Sequence, residues 1–255
     1  MSLLQKSRFW LIRSFTATFG ILSIAWVLFS LPTYRAEVPL GDFVRRALVG
    51  ESYNAEQLSS LQRQLDAIPA KRLRSSALND VAVLRLRLVE SKLATGNQNT
   101  ASDLAELETL VTAALAESPS SSFLWLVEYW LRNIGGHSVD SALTLLQMSY
   151  LSGPNEGWIA IRRNPLALKV FPSLPPEIAD QVLSEFAGLV RSRLFQEASN
   201  ILAGPGWAVR QKLLGRLVRI DENYRFEFAR VLASNKVEGA LVPGTEANER
   251  PPRPF

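Results

Sequence analysis

Residues 119–154 read PSSSFLWLVEYWLRNIGGHSVDSALTLLQMSYLSGP, from Pro119 to Pro154. An apolar run from Phe123 to Ile134 ends at Gly135-Gly136, a pair that breaks a helix and supplies turn conformations. Ser138 is placed to cap a second helix, whose apolar stripe is Ala142, Leu145, Leu146 and Ser149. Gly153-Pro154 closes it. The spacing predicts two helices joined by a tight turn, in a unit whose bounding prolines are 35 residues apart (154 − 119). Nothing in the stretch alternates with the period of two that a strand requires.

The same reading extends in both directions. Upstream, Leu58, Leu61, Leu65 and Ile68 share one helical face, opened by Ser52 or Asn54 and closed by Pro69. Leu78, Val81, Leu84, Leu88 and Leu93 form a longer stripe that ends at Gly96. Thr100 with Asp103 has the form of a capping box ahead of Leu104, Leu107, Val111 and Leu115. Downstream, Asn155 is placed to cap a helix through Trp158 and Ile161 that stops before Pro165. Pro175-Pro176 starts another through Ile178, Val182, Phe186 and Val190. Segments at 194–202, 208–218 and 223–232 complete an all-α region over residues 35–234. The remainder, 235–255, contains Pro243-Gly244 and Pro251-Pro252-Arg253-Pro254 without a helical stripe and is expected to be a disordered, proline-rich tail.

Counted back from Pro154, Ala142, Leu146 and Ser149 fall where the tetratricopeptide repeat places an alanine, a large apolar residue and a small residue; Trp125 stands at the early tryptophan position. Residues 85–160 therefore resemble the tetratricopeptide-repeat family, with Glu128-Tyr129 in place of its Leu-Gly pair and no third full unit after Pro154. The resemblance implies an irregular α-solenoid in which small residues let paired helices approach. It also implies a protein-binding function.

Ser14 to Leu31 (SFTATFGILSIAWVLFSL) carries no charge. As a helix these eighteen residues extend about 27 Å at ~1.5 Å per residue, so the sequence predicts a transmembrane anchor over 14–34. The preceding arm, residues 1–13, holds Lys6, Arg8 and Arg13 and no acid, which places it in the cytoplasm and the bulk of the chain in a bacterial periplasm. A cleavable signal peptide is the rival, but Ser30-Leu31-Pro32-Thr33-Tyr34 offers no small-x-small cleavage site. The pairs Ser14/Thr18 and Thr16/Gly20 would let two anchors associate, hence a homo-oligomer.

The charge does not point to nucleic acid. Removing the three basic residues of the arm from 28 leaves 25 against 24 acidic ones, so the rest of the chain is nearly neutral. Six basic residues from Arg210 to Arg230 face Asp221, Glu222 and Glu227, the pattern of a solvated helix surface. With no Cys and one His, thiol nucleophiles, cysteine-based metal sites and a two-histidine metal site have no ligands. His137 lies in a turn without a recognisable nucleophile beside it, and no phosphate-binding glycine motif occurs. No cofactor, metal site or catalytic residue is assigned.

Partner-binding candidates are aromatic and cationic. Trp125, Tyr129 and Trp130 belong to the apolar run FLWLVEYWL, and Trp158 is followed one turn later by Arg162 and Arg163. These side chains either pack between helices or line a solenoid groove; the arginines either grip an anionic group or pair with Glu128 or Glu156. The expected function is a membrane-anchored helical scaffold or adaptor that binds another envelope protein, in the manner of proteins encoded with exopolysaccharide or O-antigen machinery. A periplasmic enzyme acting on polysaccharide and a purely structural subunit are the alternatives.

Overall fold

The computed structural model describes residues 10, 13, 15–31, 43–44, 46, 53–68, 75–96, 100–136, 139–153 and 156–245. Among the described residues every regular element is a helix, as the apolar periodicity predicts. The chain divides into two compact units, Met1–Asp103 and Leu104–Phe255.

In the first unit, α1 covers residues 15–31 and presents Phe15, Phe19, Trp26 and Phe29 as exposed side chains. No helix among the described residues is long and apolar enough to cross a membrane. This corrects the expected spanning anchor over 14–34. Among the described residues the unbroken helical run is 15–31, about 25 Å at ~1.5 Å per residue, against a hydrocarbon core of about 30 Å.

Helix α2 (Ala55–Asp66) opens with a capping box: the Gln57 amide donates to Asn54 Oδ1 at 2.8 Å, and the Asn54 amide donates to Gln57 Oε1 at 3.0 Å. Of the two candidate caps, Asn54 is the one used. Leu61 and Leu65 are buried against α3 (Ser75–Ala94), whose Leu78, Val81, Leu84 and Leu88 are buried in turn. Arg85 reaches back to Asp66 at 2.7 Å. Helix α4 (Ala101–Glu117) follows Thr100 and from Leu104 on belongs to the second unit, with Leu107, Val111 and Ala114 buried.

The second unit contains a helical hairpin. Helix α5 (Ser122–Ile134) is capped by Ser121, turns at Gly136 (φ +70°), and returns as α6 (Val139–Ser152). Ala142, Leu146 and Ser149, the positions that carry the repeat resemblance, are all buried. His137 and Pro154 lie outside the described residues.

Helix α7 runs Gly157–Lys169 and therefore continues through Pro165, where the sequence predicts a stop. Proline removes the amide that would bond Ile161, a loss of about 3 kcal/mol in a helix interior. The helix persists because both sides of the proline are buried: Ile159, Arg163 and Asn164 before it, Ala167 and Leu168 after it. It packs against α8 (Pro176–Arg191), which starts with proline at its first helical position.

Helices α9 (Phe195–Ala203), α10 (Arg210–Arg216) and α11 (Glu222–Ser234) complete this unit. Phe228 meets Phe186 and Phe195 with ring centroids 6.1 and 6.3 Å apart. Residues 235–245, assigned by composition to a disordered tail, make specific contacts. The Val237 amide bonds Leu232 O, Val242 is buried, and Arg225 Nη1 donates to Pro243 O. Residues 246–255 of that tail lie outside the described set.

Candidate functional site

The most polar place in the interior of the second unit is centred on Arg163, which is completely buried. A charged side chain survives there only if its donors are satisfied, and all are. Nε and Nη2 donate to Glu185 Oε1 at 3.0 and 2.6 Å. Nη2 also donates to Gly153 O at 2.9 Å, while Nη1 donates to Ser122 Oγ at 2.9 Å and Ser149 O at 2.6 Å. The guanidinium lies 4.1 Å from the centroid of the Tyr150 ring.

The other carboxylate oxygen is equally occupied. Glu185 Oε2 accepts from Tyr150 Oη at 2.7 Å and from Asn164 Nδ2 at 3.2 Å. Asn164 Nδ2 also donates to Val182 O at 2.9 Å. One guanidinium and one carboxylate thus join the first turn of α5, the end of α6, the middle of α7 and the middle of α8. Bonded pairs run in opposite order, 163 with 185 and 164 with 182, so α7 and α8 are antiparallel.

Burial raises the Glu185 pKa from its ordinary 4.5, against the opposing pull of Arg163 and of hydrogen bonds from Arg163, Tyr150 and Asn164. Tyr150 is raised well above 10.0 by burial first and by the neighbouring carboxylate second. Glu185 has no oxygen left to accept a substrate proton. Chemically, the cluster is a cross-brace.

Beside this brace a groove of about 510 Å³ opens between α7 and α8. Gly157 and Ala160 form one wall; Ser184, Glu185, Gly188 and Leu189 form the other, and Arg191 and Ser192 stand at the end. Glu185 belongs to both features, so the brace sets the position of the groove wall.

None of the six partner-binding candidates lines this groove. Trp125 is half-buried and donates its indole N–H to Pro119 O at 2.7 Å. Tyr129 is buried, which pushes its hydroxyl pKa up against a lowering bond from Asn133, and Trp130 is half-buried on the same helix. Trp158 packs on Phe123, ring centroids 5.1 Å apart. Arg162 is half-buried on α7, while Arg163 is committed to the brace. The ion-pair partner of Arg163 is Glu185, rather than Glu128 or Glu156.

Glu185, Tyr150, Asn164 and Ser122 carry the cluster and were not singled out by sequence. Glu185 is the tenth residue of α8 and falls in the stripe Ile178, Val182, Phe186, Leu189. A charged residue inside an apolar stripe, opposed by Arg163-Asn164 inside the stripe Ile159, Ala160, Ala167, is the signal that could have found it. The chain matches no family model, no curated protein and no solved structure.

Proposed function

We propose that this protein works by contact, as a helical scaffold that holds a segment of a partner protein in the groove between α7 and α8. The observation that carries the reading is the shared residue Glu185: a side chain fixed by Arg163, Tyr150 and Asn164 also forms the groove wall. A surface held this rigidly loses little entropy when a ligand settles on it, which favours recognition. The helical hairpin α5–α6, with its small residues at the repeat positions, supports the same reading by resemblance.

A photo-crosslinking amino acid at Ser192, exposed at the groove end, tests this in the native cell. The expected result is one protein adduct that is missing when the same group replaces Thr144, exposed on α6. Equal labelling from both positions, or none from Ser192, overturns the proposal.

A further inference from the structure

Gly157 and Gly188 stand on opposite walls of the α7–α8 groove, and a Cβ added to either would meet no heavy atom within 4 Å. The fold itself has no packing need for a glycine at 188. Glycine inside a helix weakens it relative to alanine, so the bare backbone is a cost the internal structure does not explain. It leaves room for another backbone to approach closely.

The charge around this opening is uneven. Glu185 is neutralised by Arg163 at 2.6 Å. The Arg191 side chain is exposed and forms no ion pair or hydrogen bond with any described residue. The nearby acid, Glu156, turns elsewhere: its Oε1 lies 2.5 Å from where a Gly153 Cβ would stand, beside Ser122 at the start of α5. The uncompensated charge at the groove end is therefore positive, and Ser192 adds a hydroxyl donor there.

We infer that the occupant of this groove is an acidic peptide segment of a partner protein, its backbone against Gly157 and Gly188 and a carboxylate on Arg191. The inference rests on the scaffold reading above and specifies the chemistry of the partner.

The test is a selection of displayed twelve-residue peptides against the full chain, kept in mild detergent because α1 exposes Phe15, Phe19 and Phe29. Three proteins are compared: wild type, Gly188→Leu, which fills the groove, and Arg191→Glu, which reverses its exposed charge. Wild type is expected to enrich sequences rich in Asp and Glu at least tenfold, Gly188→Leu to lose that enrichment, and Arg191→Glu to favour Lys and Arg instead. Enrichment of neutral or basic peptides that Gly188→Leu still abolishes overturns the acidic partner and leaves the groove reading standing. Enrichment untouched by Gly188→Leu, or none in wild type, overturns both. A wild-type dimer dispersed by Gly188→Leu in sedimentation also overturns it, making a second copy the occupant.

Discussion

Ser122 and Ser149 are bonded reciprocally: Ser122 Oγ donates to Ser149 O at 2.9 Å, and Ser149 Oγ donates to Ser122 O at 2.8 Å. Each hydroxyl binds the carbonyl of the other residue, so the start of α5 and the end of α6 are tied at one level. Arg163 then donates to both Ser122 Oγ and Ser149 O, which adds α7 to the same joint. The repeat-like small residue at 149 is thus more than a spacer.

Removing one end of the buried ion pair should be expensive. Arg163→Met or Glu185→Leu alone leaves an uncompensated buried charge, with an expected loss of about 3–5 kcal/mol in urea denaturation. The double substitution Arg163→Met/Glu185→Leu should lose less than either single change. A double variant as unstable as the sum of the two singles would show that the residues act independently.

The pH dependence follows from the raised pKa values. Folded Glu185 holds its proton to higher pH than the unfolded chain does, so its contribution to stability is complete below 4.5 and is lost as pH rises through the raised value. Tyr150 behaves alike at the alkaline end, with stability falling as pH rises past 10.0. Denaturation midpoints measured from pH 4 to 11 should show both declines in wild type. Glu185→Gln should flatten the first, and Tyr150→Phe should flatten the second.

Close approach at the end of α6 gives a third prediction. A Cβ at Gly153 would fall 2.7 Å from Ser122 Cβ, inside any normal contact. Gly153→Ala should therefore destabilise by about 1–3 kcal/mol, read as a lowered thermal midpoint. Gly157→Ala, four residues on and opening into free space, is the matched control that should cost little.

Two helices end with a basic residue in the left-handed conformation that glycine prefers. Arg193 (φ 62°) follows α8, where Leu194 N bonds Leu189 O, and Lys236 (φ 55°) follows α11, where Val237 N bonds Leu232 O. Arg193→Gly and Lys236→Gly should each stabilise by about 0.5–1 kcal/mol through relief of backbone strain. The ion pair of Arg193 with Glu227, 3.9 Å long and largely exposed, is too weak to offset that gain.

The helices were legible because each buries one stripe, as Ile178, Val182, Phe186 and Val190 do in α8. The turn at Gly135-Gly136 and the Asn54 cap were legible for equally local reasons. The brace was not, because its bonded members lie 10 to 41 residues apart and meet only through tertiary packing. The continuation of α7 through Pro165 was hidden for the same reason: a local rule says stop, and burial of Ala167 and Leu168 overrides it. The candidate aromatics were correctly placed on helices, but Trp158 packs on Phe123 and none of the four lines the groove.

Pro165 gives α7 two unequal halves. Its ring supplies no amide hydrogen to Ile161 O, so the ladder of bonds along the helix is interrupted just where Asn164 grips Val182 O. The segment from Gly157 to Asn164 is therefore joined to the last turn by one rung fewer, and that turn is anchored by the burial of Ala167 and Leu168.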